Sequence, residues 1–199
     1  VWCIQQYYCL IGADAAIKKY GKLVDKIVDF ILQDKHKNLK VHENGLLYIN
    51  GRKCAMTWMN SEINGFPVVP RSGYVVEINA LWYNAICFAL ELITKKSFQD
   101  KWKDIPRKIE KAFEEIFWDE ERGYLADYCV NGYRDFSMRP SQIFGASLPF
   151  SALDEEKRHS VLEHVRKELL TPCGIRTLSP RSAQYKGNIT GTITERVIA

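Results

Sequence analysis

The sequence predicts an all-α protein in which the helices form two concentric layers. Six segments of the 199-residue chain have helical hydrophobic patterning, and segments that are apolar all round alternate with segments that have one apolar face. The connections alternate as well, because links from an inner to an outer helix are short and the return links are long. An irregular all-α bundle is the alternative that these patterns leave open.

The composition is that of an ordinary globular protein. Hydrophobic residues make up 46% and charged residues 26% of the chain, which excludes a low-complexity or disordered protein. The net charge of +4 is spread along the chain, and basic clusters are followed by carboxylates, so no nucleic-acid partner is predicted. No apolar run reaches the roughly 18 residues that a membrane span needs, so no membrane partner is predicted either.

Three segments are apolar on nearly all sides and are predicted to form the inner layer. They comprise residues 1–19, 79–94 and 140–150. A helix without a polar face has to be buried on both sides, so each of these segments needs neighbours all round.

Three segments with a single apolar face are predicted to form the outer layer. They comprise residues 20–35, 99–117 and 154–170. Pro106 is expected in the first turn of its helix or at a kink. Asp154, followed by two glutamates, is predicted to cap the last helix, because a carboxylate accepts the free N–H groups at a helix N-terminus.

Long links lead from each outer helix onward, at residues 36–78, 118–139 and 171–199. Since neighbouring helices run antiparallel, all three links are expected at one rim of the layers. Within the first link, residues 46–52 have the pattern of a small strand and turn. The rim carries aromatic rings beside carboxylates and amides, which favours a carbohydrate site, because rings stack on sugar faces and polar groups bind hydroxyls.

Four motifs on these links carry a resemblance to a known family. They are Thr57-Trp58-Met59-Asn60, the block at residues 70–85, Arg139-Pro140-Ser141-Gln142-Ile143-Phe144 and Leu178-Ser179-Pro180. They resemble the amylo-α-1,6-glucosidase domain of glycogen debranching enzymes of the bacterial type, over nearly the whole chain. The resemblance implies an (α/α)6 toroid, of which this chain would supply three inner–outer helix pairs.

On this resemblance, residues 1–199 are expected to be about half of the toroid, cut from a larger chain at both ends. Three inner helices cannot close a ring, so an exposed apolar edge is expected. The missing half of the barrel or self-association would cover that edge.

The resemblance also implies a glycoside hydrolase that removes α-1,6-linked glucose from branch points of glycogen or a related α-glucan, with inversion and without a cofactor. Inversion needs a general acid and a general base whose carboxyls lie roughly 6.5–9.5 Å apart. The base of the family lies C-terminal of Leu178-Ser179-Pro180, beyond Ala199, so the isolated fragment is expected to be inactive.

The general acid is in question because of a single residue. The fourth position of the Thr57–Asn60 motif is typically an aspartate in the family, and an asparagine amide cannot donate an acid proton. The candidate catalytic positions are therefore Asn60 itself, Glu62 and Glu77. Glu77 is preferred because it directly precedes an inner helix, whereas Glu62 lies in a link with a flexible Asn-Gly pair.

Further rim residues are predicted to bind substrate within the resembling motifs and beside them. They are Trp58, Arg71, Asn79, Asp127, Asp135, Arg139 and Gln142. Structural roles are open for the same residues: Arg71 could form a salt bridge that fixes a loop, Asn79 could cap a helix, and Asp127 could stabilise a turn. Asp135 and Arg139 could form an ion pair with each other.

No metal site is predicted, because the four histidines share no ligand spacing on one rim. The six cysteines form no C-x-x-C pair, which favours reduced thiols, and the expected compartment is the cytoplasm.

Three classes of function stay open. The first is a glycoside hydrolase fragment that acts on α-glucan branch points. The second is a non-catalytic glucan-binding helical domain that has lost its general acid, which Asn60 favours. The third is a helical scaffold of the α-solenoid kind, which is disfavoured because no repeat of 34 to 47 residues is visible.

Overall fold

Seven α-helices and eleven short strands form the part of the chain that the computed structural model describes, residues 1–188, 191 and 192. The helices are α1 (Trp2–Ile11), α2 (Ala13–Leu32), α3 (Val76–Leu92), α4 (Lys96–Trp102), α5 (Ile105–Phe117), α6 (Gln142–Ser147) and α7 (Glu155–Leu169). The strands are β1 (Leu39–Val41), β2 (Leu47–Ile49), β3 (Glu62–Ile63), β4 (Phe66–Pro67), β5 (Gly73–Val75), β6 (Trp118–Asp119), β7 (Tyr124–Leu125), β8 (Tyr128–Val130), β9 (Tyr133–Asp135), β10 (Leu170–Thr171) and β11 (Gly174–Ile175).

Helix α3 lies at the centre of the helical part, in contact with α1, α2, α5 and α6. Its buried apolar side chains point to all sides and include Ala80, Trp82, Ile86 and Phe88. The prediction that residues 79–94 form a helix buried on both sides is therefore confirmed.

Helices α5 and α7 follow the pattern predicted for the outer layer. Helix α5 buries one face through Ile109 and Phe113, and Pro106 lies in its first turn as expected. The carboxylate of Asp154 accepts the backbone N–H of Lys157 at 2.8 Å, so the predicted cap of α7 is confirmed.

Two predicted helix boundaries are wrong. The chain breaks at Gly12, where φ is 80° and ψ is 164°, and α2 then runs across the boundary that was predicted between residues 19 and 20. A glycine reaches positive φ without steric cost, and this makes Gly12 the better breaking point. The segment 99–117 consists of α4 and α5, because Pro106 starts a helix more readily than it continues one.

Helix α1 lacks the all-round burial predicted for an inner helix. Gln5 is its one buried residue, while Trp2 and Leu10 are 47% and 81% exposed. Its main contacts in the described part of the chain are with α2 and α3. Helix α1 therefore carries exposed apolar side chains.

The helical prediction is confirmed in part, because the helices are accompanied by a five-stranded antiparallel sheet that joins the first two long links and that the all-α prediction did not include. The strand order is β1-β2-β5-β8-β9, and the predicted small strand at residues 46–52 is β2. Register pairs include Ile49 with Gly73 and Val75 with Tyr128. The other strands were missed because two or three residues are too few for a visible alternation, and because the pairing of β5 with β8 joins two different links.

The third long link contacts the second near Arg139. Ser179 donates its backbone N–H to the Met138 carbonyl at 3.0 Å, next to Arg139. The described parts of all three links are thus joined to one another. Residues 189–190 and 193–199 of the predicted third link lie outside the described residues.

No helix in the described ranges combines the length and the apolar character that a membrane crossing requires.

Candidate functional site

Four charged side chains form a buried cluster where the first two long links meet α3. Arg71 donates to both carboxylate oxygens of Glu77, at 2.5 and 2.7 Å, and to Asp127 Oδ1 at 2.8 Å. Arg139 Nε lies 3.5 Å from Asp127 Oδ2. We call Arg71, Glu77, Asp127 and Arg139 the charge cluster. All four residues were predicted from the sequence, and the structure brings them together.

The backbone around the charge cluster explains its assembly. Arg71 lies two residues before β5, Glu77 is in the first turn of α3, and Asp127 directly precedes β8. The pairing of β5 with β8 therefore places these segments side by side, and Val76 donates its N–H to the Asp127 carbonyl at 3.1 Å. Gly51 is required here, because a Cβ at this position would lie 1.9 Å from the Arg71 carbonyl oxygen.

The cluster carries two positive and two negative groups in a buried environment. Burial raises the pKa of Asp127 to about 7, while the charges of Arg71 and Arg139 oppose this and that of Glu77 reinforces it. Burial alone would lower the pKa of Arg71, but its hydrogen bond to Glu77 and the charge of Asp127 raise it. With 2% of Glu77 exposed, the Arg71–Glu77 pair presents almost no surface to a substrate.

Several buried polar atoms in this region have no hydrogen-bond partner among the described residues. They are Arg71 Nε, Asp127 Oδ2, Arg139 Nε and Gln142 Nε2. Unpaired buried polar atoms are uncommon in folded proteins and require an explanation. Their concentration around the charge cluster marks this region as the candidate site.

Two predicted amide residues anchor backbone instead of facing an open cavity. Asn79 Oδ1 accepts the N–H of Leu47 at 2.7 Å, and its Nδ2 donates to the carbonyls of Leu47 and Val75 at 3.0 Å each. Gln142 Oε1 accepts the N–H of Leu125 at 3.1 Å. These bonds attach the first turns of α3 and α6 to the neighbouring strands.

Trp58 is the one predicted substrate-binding residue whose side chain is exposed. It is 45% exposed, and its indole N–H donates to Ser141 Oγ at 3.2 Å. Ser141 precedes α6 and is itself buried. The hydrogen bond therefore fixes an exposed ring of the first link against the second link.

Asn60 and Glu62 lie on the same exposed segment as Trp58. Glu62 begins a small hairpin whose turn is Asn64-Gly65, with φ of 51° and 78°. The Asn-Gly pair that was expected in a flexible link thus forms the two-residue turn of a hairpin. Glu62 Oε1 also accepts the N–H of Ala55 at 3.1 Å, which orients its side chain.

Asp135 lies beside the charge cluster without the ion pair that was considered for it. Its Oδ1 accepts the N–H of Ser137 at 2.9 Å, and its carbonyl accepts the N–H of Asp127 at 2.7 Å. Arg139 pairs with Asp127 instead, whose carboxylate lies directly before β8.

Ser141 was not predicted as a site residue, although it lies in the motif that begins at Arg139. No local signal identifies it, because its partner Trp58 is 83 residues away in the chain. In the described ranges, no group of three or more His, Cys, Asp or Glu side chains could hold a metal ion.

Comparisons with known proteins identify a matching family and a related enzyme. A family model described as amylo-alpha-1,6-glucosidase matches residues 1–199. The glycogen debranching enzyme of Saccharomyces cerevisiae is 24% identical, over 80% of this chain and 13% of the yeast enzyme. The chain thus spans about an eighth of the length of that curated relative.

Two solved structures are similar in fold. A GH78 family rhamnosidase of Bacillus sp. GL1 superposes with a TM-score of 0.61 and 14% identity, over 87% of this chain and 17% of that one. Neutral trehalase from Saccharomyces cerevisiae superposes with a TM-score of 0.51 and 14% identity, over 63% and 25%. At this identity the likeness concerns the fold alone.

Proposed function

Because the chain belongs to the amylo-alpha-1,6-glucosidase family, we propose that it forms part of a glycoside hydrolase domain that acts on branched α-glucan. The reaction is hydrolysis of α-1,6-linked glucose at a branch point of glycogen or a related glucan, with inversion and without a cofactor. The substrate partner is a branched oligosaccharide, and the proposed compartment is the cytoplasm.

The exposed ring of Trp58 carries this proposal. It stands on the link that bears the motif of the resembling family, and Ser141 holds its indole N–H from the second link. An aromatic face that is both open and fixed suits stacking against the apolar face of a glucose unit. The charge cluster beneath it keeps the two links in place.

The proposed architecture is part of an (α/α)6 toroid. Helices α1, α3 and α6 would be the inner helices and α2, α5 and α7 the outer ones, as the alternation of their hydrophobic patterns predicts. The exposed face of α1, with Trp2 and Leu10, would be covered by further helices of the toroid or by a second copy. The sheet of the first two links would lie at the substrate end.

The preferred general acid is Glu62 rather than Glu77. A general acid has to reach the leaving oxygen of the substrate, and Glu77 is buried with both oxygens on Arg71. Glu62 is exposed, lies two residues from Asn60, and is oriented by its hairpin and by Ala55. Glu77 then acts as a positioning residue, together with Arg71.

The other residues that were predicted to bind substrate differ in their burial, and their proposed roles follow from it. Asp127, Arg139, Asn79 and Gln142 are buried and act by positioning the links and the N-termini of α3 and α6. Asp135 is half-buried next to Asp127 and stays a candidate for direct substrate contact.

A non-catalytic glucan-binding domain is the second candidate function, and Asn60 favours it. The side chain at this exposed motif position is an amide, which binds a hydroxyl but does not protonate a leaving oxygen. A domain that kept Trp58 and lost its acid would bind glucan without cleaving it.

The test uses the protein that carries this sequence and a limit dextrin with single α-1,6-linked glucose units. Release of glucose by the wild type, lost by two to four orders of magnitude in Glu62→Gln, supports the hydrolase. Binding without release, with release appearing in Asn60→Asp, supports the binding domain. Asn131→Asp is the matched control, because Asn131 is exposed in a β8–β9 turn where aspartate is equally suited.

A further inference from the structure

One row of cross-strand neighbours crosses the whole five-stranded sheet on its outer face. Successive register pairs join Lys40, Tyr48, Tyr74, Cys129 and Arg134, one residue from each strand. Side chains of directly opposed residues lie on the same face of a sheet. The row therefore defines a face that is distinct from the core face.

The other face of the sheet packs on the hydrophobic core. Leu47, Ile49 and Val75 point to that side, and all three are almost fully buried. Tyr48 and Tyr74, by contrast, are half-buried. Two tyrosine side chains thus stand in the centre of a partly solvated sheet face.

His42 joins these tyrosines into an aromatic group. Its ring stacks on Tyr48 with centroids 4.8 Å apart and an interplanar angle of 12°. His42 Nδ1 lies 2.7 Å from the Tyr74 hydroxyl, and the rings of Tyr48 and Tyr74 meet edge to face at 5.4 Å. These contacts fix the orientation of the His42 and Tyr74 rings.

A depression of about 520 Å³ opens beside this group, lined by Val41, His42, Glu43, Asn44 and Tyr74. Its volume falls within the about 300–1,000 Å³ that small-ligand sites commonly have. Glu43 is exposed, and its carboxylate makes no hydrogen bond or ion pair within the described part of the chain. A free carboxylate accepts hydrogen bonds from two neighbouring hydroxyls, which is the arrangement that a pyranose presents.

The depression shares no residue with the charge cluster or with the exposed segment that carries Trp58, Asn60 and Glu62. It is nevertheless linked to them through the sheet, because Tyr74 belongs to β5 and Arg71 lies two residues before that strand. A ligand in the depression would therefore leave the proposed substrate site unoccupied.

We propose that the depression formed by His42, Glu43, Asn44 and Tyr74 is an accessory subsite for one or two glucose units of an α-glucan chain. This inference rests on the proposed function and adds a second contact to the same substrate. The rings of His42 and Tyr74 supply the apolar contact, while Glu43 and Asn44 bind hydroxyls. A chain held there would raise the affinity for long glucan without changing the chemical step.

The experiment measures maltohexaose and glycogen binding, and glucose release from a short branched dextrin, by the protein that carries this sequence. Glu43→Gln tests the charge of the carboxylate at an exposed position where folding is not at risk, and Glu43→Ala removes the hydroxyl-binding side chain altogether. Each variant is expected to weaken maltohexaose and glycogen binding about five- to tenfold, the scale of one or two hydrogen bonds, with an unchanged release rate from the short dextrin. Glu120→Gln, another exposed carboxylate, is the matched control and is expected to bind as the wild type does.

The outcomes separate this inference from the proposed function. If the wild type binds or cleaves glucan and both variants bind glycogen like Glu120→Gln, the accessory subsite is refuted and the proposed function stands. If the wild type neither binds nor cleaves any of the glucans, both are refuted.

Discussion

Arg71 donates hydrogen bonds to both carboxylate oxygens of Glu77, and this buried pair joins the first long link to the N-terminal turn of α3. The same guanidinium reaches Asp127, which lies 56 residues further along the chain. A single arginine therefore holds together three segments that meet at the candidate site. The position of the exposed Trp58 segment depends on this connection, since it lies on the link that Arg71 anchors.

Replacement of Glu77 by glutamine should lower the free energy of unfolding by about 3–5 kcal/mol, because it leaves a buried guanidinium without one of its carboxylates. Urea denaturation measures the change. Glu62→Gln is the matched control, and as an exposed substitution it should change stability by less than about 0.5 kcal/mol. Equal stability of the two variants would show that the pair does not hold the link.

The stability of the protein should depend on pH through Asp127. Its pKa rises from 3.8 to about 7 on folding, so the folded state binds a proton more tightly than the unfolded state. The contribution of this group to stability is therefore fully present below about pH 4 and is lost as the pH rises towards 7.

The comparison of wild type with Asp127→Asn isolates that contribution. Between pH 4.5 and pH 7.5, the wild type should lose stability relative to the variant, whose side chain does not titrate. Urea midpoints measured across this range provide the profiles. Parallel profiles would show that Asp127 is ionised in the folded protein throughout.

Gln5 and Asn84 form a reciprocal amide pair between α1 and α3. Gln5 Nε2 donates to Asn84 Oδ1 at 3.2 Å, and Asn84 Nδ2 donates to Gln5 Oε1 at 2.7 Å. The N–H of Phe150 also donates to Asn84 Oδ1, at 3.2 Å. One side chain of α3 thus connects α1 to the segment that follows α6.

Asn84→Ala should destabilise the protein by about 1–3 kcal/mol, since it leaves buried groups of Gln5 and Phe150 without partners. Asn50→Ala, at an exposed position without a positive φ, controls for the loss of an asparagine side chain. Thermal or urea unfolding measures both. The double variant Gln5→Leu/Asn84→Leu should recover part of the loss, because it removes both polar groups at once.

Local signals predicted a good part of the helices. The cap at Asp154 and the place of Pro106 follow from chemistry within one helical turn. The all-round burial of α3 follows from its own side chains. These features could be predicted because the residues that determine them are close in sequence.

Features that depend on distant residues were missed or misjudged. The sheet was missed because β5 and β8 pair although more than fifty residues separate them in the chain, and because each strand is only three residues long. The burial of Glu77 against Arg71 was missed for a different reason. The two residues are only six apart in the chain, but the family motif suggested a catalytic role for Glu77 where the fold uses an ion pair. The exposure of α1 was also misjudged. Its apolar pattern predicts neighbours on all sides, and the described residues cover only part of its surface.

Trp58 should be required for glucan binding, since its ring is exposed and fixed at the junction of the links. Trp58→Ala should weaken maltohexaose binding by tenfold or more, because it removes a ring that stacks on sugar. Ser141→Ala keeps the ring and removes the hydrogen bond that orients it, so a smaller loss is expected. Titration calorimetry with maltohexaose measures both, and unchanged affinity in Trp58→Ala would exclude the ring as a sugar platform.

The anomer of the glucose first released from a singly branched limit dextrin tests the proposed function most directly. Proton NMR of the reaction of the protein that carries this sequence distinguishes the two anomers before they interconvert. Inverting hydrolysis of an α-1,6 linkage predicts β-glucose as the first product, with its release abolished by Glu62→Gln. Release of α-glucose first, or no release by the wild type while it binds the dextrin, would contradict the proposed function.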